Sequence, residues 1–346
     1  MTEIRKPTGG LGLTRRQALI GTGALAATTG LGGRLALAAE KVVFRTNWLF
    51  YGSHAIFFLG LDRGYYSDAG LDVVVKQGNG SGNTVRLVAN GDTTFAYGSA
   101  VTMMKLAAQG APVISVATID GTGTDAVIVN PDSGIASFKD LEGKKVMTTA
   151  GAGVNTLFPV AAKNAGVDIE KIELTNVAES ALVQSYLQGL APAILGGMDD
   201  KPAEIEANGG KPPVIFNYAD YGVYQPGYAI AAHRDMVKDK PDVVAGFVKG
   251  TLMATKAALE DPDAAIQSLI SWKANTEDEK ERIQARKVLD VTLSILYSPN
   301  NKEKQLGLNV PADWESALTL LKEYTDFQTD MTADQFYTNA FVPKSV

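Results

Sequence analysis

Two stretches decide the architecture: VRLVANGDTTFAYGS at 85–99 and VQSYLQGLAPAILGG at 183–197. Both follow V-x5-G-x6-G, with Val85, Gly91 and Gly98 in one and Val183, Gly189 and Gly196 in the other. Each reads as a helix ended by a glycine, where a left-handed cap needs no Cβ, followed by a strand running into a glycine-rich loop. Upstream of each, another helix exits into a strand, AGLDVVV at 69–75 and AGVDIEKIEL at 165–174. The repeated plan predicts two α/β halves built alike.

The surrounding chain supports this. Short β-branched runs alternate with helical stretches: 42–47, 71–77, 93–98, 113–119, 125–130, 145–149, 172–177, 193–197 and 213–218. Such alternation marks an α/β fold with largely parallel sheets. From Pro241 onward the chain is almost wholly helical in pattern. In open α/β sheets ligands meet the carboxyl ends of the strands. The loops expected there are Asn47-Trp48, Gly80-Ser81, Gly98-Ser99 and Thr118 in the first half. In the second half they are Thr149–Gly151 running into Gly153-Val154-Asn155, and Gly197-Met198-Asp199. The loop QGNGSGN at 77–83 lacks the Lys-Ser/Thr end of a phosphate-binding P-loop and misses the dinucleotide spacing. It reads instead as a loop donating backbone amides to a ligand.

The first 39 residues have the charged, apolar, small-residue order of an export signal. Arg15-Arg16 point to the Tat route, and Ala36-Leu37-Ala38 supplies the cleavage site. The apolar run is short, rich in Gly, Ala and Thr, and broken by Arg34, so it suits a bilayer span poorly. The chain contains no cysteine, which excludes disulfides, a lipidated N-terminal cysteine and thiolate metal sites. A soluble periplasmic protein is expected. Removing residues 1–39 takes away five basic residues and one acidic one, moving the net charge from −6 to −10. That balance argues against nucleic acid or an anionic membrane as partner.

NW-LFYGS-H at 47–54, GYYSDAGLDV at 64–73 and VANGDTTFAYGSA at 88–100 together resemble the thiamine-precursor-binding family of ABC-importer substrate-binding proteins. LFPVAAKNAGVD at 157–168, GGMDDKPAEIE at 196–206 and DQFYTNAFVP at 334–343 extend the resemblance over the mature chain. Relatives bind nitrate, sulfonates and taurine. The resemblance implies a type II periplasmic binding protein fold. Lobe one would comprise 40–123 plus 229–346, and lobe two 124–228, with crossovers near Gly121–Asp125 and Pro226–Ala229. It implies that Trp48 and His54 flank a planar ligand, that Gly80, Ser81 and Ser99 make polar contacts, and that Gly151–Asn155 closes from the second lobe. Asn47, Thr118 and Asp199 complete the expected site, with no metal, cofactor or catalytic residue. The implied partners are a small-molecule ligand and an ABC permease with its ATPase, the protein itself being a monomer. Gly189-Leu190-Ala191-Pro192-Ala193 departs from the family's Gly-x-Val-Asp-Ala.

Other chemistries find less support in these residues. His54 and His233 are the only histidines, and no HExxH supports a metal site. Trp48 could be core packing, and His54 a buried, hydrogen-bonded imidazole. Asp199 and Asp200, if adjacent on a strand, would point to opposite faces, which speaks against a carboxylate pair. Pyrimidine-synthesising relatives use a histidine with several cysteines and iron; this chain has no cysteine and carries an export signal. No G-x-S-x-G occurs. A sensor role is not separable from transport. An anion binder would want a cleft arginine or lysine, and Arg45, Arg63 and Arg86 have easy surface readings. A planar, uncharged or weakly anionic heterocycle fits the loops better.

Overall fold

The computed structural model describes residues 39–150, 152, 154–273 and 278–346. The export signal expected within residues 1–39 falls outside the described residues except for Ala39, and Gly151 and Gly153 fall outside them too.

Among the described residues ten strands form: β1 (Glu40–Arg45), β2 (Leu71–Lys76), β3 (Phe95–Ser99), β4 (Val113–Thr118), β5 (Asp125–Val129), β6 (Lys145–Thr148), β7 (Glu173–Asn176), β8 (Ala193–Gly197), β9 (Val214–Asn217) and β10 (Tyr228–His233). They make two five-stranded sheets, β2-β1-β3-β10-β4 and β7-β6-β8-β5-β9. The repeated motif occupies matching places in both. In the first sheet the helix Ser81–Ala89 precedes β3, and in the second the helix Glu179–Leu187 precedes β8. Gly91 and Gly189, one residue past the respective C-caps, have φ of 81° and 75°, the left-handed geometry that ends a helix cheaply only at glycine.

The sheets are less parallel than expected. β1 pairs in parallel with β2 and β3, and β6 with β7 and β8. β10 runs antiparallel between β3 and β4, and β5 antiparallel between β8 and β9. The reason is connectivity. The chain crosses to the second sheet between Thr118 and Asp125 and returns between Asn217 and Tyr228, so β5 and β10 enter their sheets from the opposite end. The two crossings are bonded side by side, Gly227 N–H to Asp120 O at 2.9 Å and Gly123 N–H to Gln225 O at 3.1 Å.

Each sheet carries apolar side chains on both faces. On one face of the first sheet, Phe44 and Phe95 meet Phe247 from the long helix Pro241–Glu260, the Phe95–Phe247 rings stacking at 4.3 Å. The other face packs Met103, Met104 and Trp314. The C-terminal helices thus return to the first sheet, and the tail pairs with its edge through Ser115 and Tyr337. Two of them also reach the second half. The helix Pro311–Tyr324 touches Val154–Asn164, and Glu279–Ser294 touches Lys201–Ala207, where Lys287 forms an ion pair with Glu206. Among the described residues no helix is long and apolar enough to cross a membrane.

Candidate functional site

The carboxyl ends of β1, β3 and β8 and the start of β5 converge on a cleft of about 930 Å³ between the two sheets. Asn47, Trp48, Gly80, Ser81, Ser99 and Asp199, all expected at the site, line it. Trp48 is half-exposed, at 50 %, although its neighbours Asn47 and Phe50 are buried, so it is not core packing. An apolar ring left open in a cleft is a surface that a planar ligand can cover.

The glycine-rich loop has a different task from the one expected. Gly78 N–H donates to Trp48 O at 3.1 Å and Gly80 N–H to Asn47 O at 2.8 Å. These amides hold the Asn47-Trp48 backbone and are not offered to a ligand. The approach is so close that a Cβ on Gly78 would lie 2.0 Å from Thr46 O. Gly80, at φ 88°, then turns the chain into the helix Ser81–Ala89. The Ser81 hydroxyl accepts from Ser99 N–H at 3.1 Å, and Ser99 caps the next helix through Thr102 N–H. The loop is a buttress.

His54 does not reach the cleft. It is fully buried behind Asn47, within van der Waals reach of the Tyr51 ring and edge-on to Tyr97. Its Nδ1 accepts from Tyr51 N–H at 3.5 Å, which leaves the proton on Nε2, and Nε2–H donates to Asn47 Oδ1 at 2.7 Å. Burial pushes its pKa down to about 3, so the ring is neutral at physiological pH. With the Asn47 oxygen engaged by His54, the amide's NH₂ points its donors toward the Tyr51 hydroxyl, and Asn47 and Tyr51 both line the cleft. The imidazole therefore acts through Asn47, and the expected direct bond from His54 to a ligand is not available in this geometry.

Thr118 is also off the wall: its hydroxyl donates to Asn309 Oδ1 at 2.9 Å and it is buried. Asn155 is tied to the end of β6. It donates to Thr149 O at 2.8 Å and accepts from the Thr148 hydroxyl, while its neighbours Val154 and Thr156 line the cleft.

The second-sheet wall is charged, and of its charged residues only Asp199 belongs to the expected site. Asp199 and Asp200 lie in the turn after β8 and both line the cleft, because a turn lacks the strand's alternation. Lys201 bonds Glu179 at 2.7 Å, Asp200 at 3.2 Å and Glu204 at 3.4 Å. Asp125, at the start of β5, accepts from Gln225 at 3.2 Å, and burial raises its pKa to about 6. Burial and the neighbouring Asp200 raise Asp199 to about 7. The run GGMDDKPAEIE carried the signal for this wall in its density of charge beside a glycine-ended strand.

Residues 52–265 match the family model described as "NMT1/THI5 like". A formylaminopyrimidine-binding protein of Halalkalibacterium halodurans is 23 % identical over 309 residues, covering 87 % of this chain and 91 % of that one. A 4-amino-5-hydroxymethyl-2-methylpyrimidine phosphate synthase of Schizosaccharomyces pombe is 22 % identical over 318 residues, 86 % of each chain. Among solved structures, the periplasmic aliphatic sulphonate binding protein SsuA from Escherichia coli superposes with a TM-score of 0.64 at 15 % identity, covering 86 % of this chain and 97 % of that one. The fold is thus that of the type II periplasmic binding proteins. With the family model spanning more than half of its length, the chain belongs to the NMT1/THI5-like family.

Proposed function

We propose that this protein is the substrate-binding component of an ABC importer, capturing a small planar heterocycle of the thiamine-pyrimidine-precursor type as two lobes close on it. Lobe one would be 40–123 with 229–346, and lobe two 124–228. The observation that carries the reading is Trp48, half-exposed on the cleft wall beside an asparagine whose amide is oriented from behind by a buried histidine. A ring stacked on the indole gains about 0.5–1.5 kcal/mol beyond the burial of its area. The Asn47 NH₂ offers donors to a ring nitrogen or carbonyl at the ring's edge. Ser81, Ser99 and the 151–155 segment would supply the remaining polar contacts. The formylaminopyrimidine-binding relative supports the ligand class. In this reading the protein is exported through its N-terminal signal, works as a periplasmic monomer, and passes its ligand to a permease with its ATPase.

The protein is proposed to bind and not to transform its ligand, although the family includes synthases. His54 is sealed from the cleft and stays neutral, so it cannot relay protons to a substrate at neutral pH. His233 caps the helix Arg234–Asp239 at the other end of β10. A thermal-shift screen tests the reading with 4-amino-5-hydroxymethyl-2-methylpyrimidine and its formylamino analogue against benzenesulfonate, taurine and nitrate. Binding raises the melting temperature by linkage. The pyrimidines should raise it and the anions should not; a response to the anions alone would overturn the assignment.

A further inference from the structure

Asp199 faces the cleft yet is only 8 % exposed. Among the described residues no lysine or arginine forms an ion pair with it, since Lys201 is held by Glu179, Asp200 and Glu204. Its carboxylate receives the Thr124 hydroxyl and its own backbone N–H. The ionisable groups that face it are acids and phenols: Asp200 and Asp125 on the same wall, Asp120 at the first crossing, and Tyr51 and Tyr228 from the first sheet. Among the described residues the cleft is lined by six carboxylic acids and three lysines. Lys201 and Lys273 are already paired, the latter with Glu281, which leaves Lys105 as the lysine without an ion pair among the described residues. An anion entering here would be desolvated against an excess of like charge. A buried carboxylate without a counter-charge gains most from a cation or from paired N–H donors.

We infer that Asp199 selects the ligand by charge: the bound molecule turns a cationic or amidine-like N–H edge toward this carboxylate, and the cleft rejects anions of the same shape. The inference rests on the proposal that the cleft is the ligand site, and it assigns to Asp199 a role independent of which heterocycle binds. Burial beside Asp200 places the titration of Asp199 near neutrality. A ligand whose own charge is constant should therefore bind more tightly as pH rises and the carboxylate forms.

Benzamidinium is a suitable probe, being planar and cationic throughout the range, with benzoate as its anionic counterpart. Calorimetry on the whole protein at pH 5.5 and 8.5 should show benzamidinium binding roughly tenfold or more tightly at the higher pH. Benzoate should bind at least about tenfold more weakly than benzamidinium at pH 8.5, and the gap should narrow at pH 5.5 as the carboxylate takes up its proton. Asp199→Asn should weaken benzamidinium by about tenfold or more at pH 8.5 and flatten its pH dependence. Absence of benzamidinium binding to the wild type, a flat wild-type profile, or equal affinity for benzoate at pH 8.5 would overturn the inference, and none of these depends on a variant folding. If benzamidinium behaves as stated while the pyrimidines do not bind, the heterocycle assignment falls and charge selection stands. If the pyrimidines bind equally to wild type and Asp199→Asn, charge selection falls and the heterocycle assignment stands.

Discussion

The two walls of the cleft are made of different materials. Around Trp48 the first-sheet wall is uncharged: an open indole, an oriented amide and two serine hydroxyls, braced from behind by His54 and by the loop at 77–83, while Lys105, Lys273 and Glu281 are the charges that the first half adds to the cleft. The second-sheet wall is ionic, with Asp199, Asp200, Lys201 and Glu179 in contact or near it. An uncharged wall can be held rigidly by short-range hydrogen bonds, here Asn47 to His54 and Ser99 to Ser81. An ionic wall in a partly buried cleft stays poised, since burial raises Asp199 to about 7 and Asp125 to about 6. The difference teaches that, under the proposed function, shape and charge would be read by separate halves of one site.

Their pH responses have opposite signs. His54 is held near 3 in the folded protein, against an ordinary 6.5. The unfolded chain therefore binds more protons between those values, and this group makes stability fall as pH drops from 6.5 toward 3. Asp199 is raised to about 7 from 3.8, so the folded state keeps a proton the unfolded chain has lost. Its contribution makes stability fall as pH rises from 3.8 to 7.

The largest expected effect is on the neutral wall. Trp48→Ala should weaken pyrimidine binding by about 2–4 kcal/mol, roughly thirty- to a thousand-fold, with little change in melting temperature. Calorimetry checks this, and near-native affinity would remove the indole from the comparison. His54→Ala should cost about 2–3 kcal/mol of stability at pH 7.5, because it opens a cavity and orphans the Asn47 oxygen. In urea denaturation that deficit should narrow toward pH 4.5, where the wild type pays for keeping its imidazole neutral; a constant deficit would mean that His54 titrates normally. On the ionic wall, Asp199→Asn should stabilise the ligand-free protein by about 1–3 kcal/mol at pH 8 and hardly at all at pH 4. Equal effects at both pH values would show that relief of buried charge is not the cause. The smallest effect belongs to Glu179→Gln. Glu179 is 58 % exposed, and Lys201 keeps Asp200 and Glu204, so the loss should be below about 1 kcal/mol by thermal melting.

Sequence periodicity went far with the fold. Gly91 and Gly189 end their helices as the shared motif demands, and nine of the ten strands lie where β-branched runs place them, within two residues at either end. β10 escaped because YAIAAH has three alanines among six residues, a composition with weak strand preference, and is buried by its neighbours β3 and β4. Its burial is a tertiary fact without a local mark. At the site, strand ends followed by small residues led to Asn47, Trp48, Ser81 and Ser99, since such loops must open on the cleft. What local pattern could not reveal was direction. His54 lies seven residues from Asn47 and turns behind it, and Gly80 spends its N–H on the Asn47 carbonyl. The turn that brings Asp199 and Asp200 to one wall is likewise set by how β8 ends.

The place of β10 has a consequence for assembly in time. The second sheet is built from one continuous segment, 125–217, whereas the first must recruit Tyr228–His233 between β3 and β4 after that entire segment has been made. Closing so long an excursion has an entropic cost before its contacts reward it, and non-local pairing of this kind slows folding. The second sheet should therefore form first, both on the ribosome and on dilution from denaturant. Pulse-labelling hydrogen exchange would register this as early protection of Ala126–Val129 amides ahead of Ile230–Ala232; simultaneous protection would mean that the halves fold as one unit. The first-sheet side of the cleft would then be completed only after the second-sheet side, with β10 and the C-terminal helices that pack on its sheet.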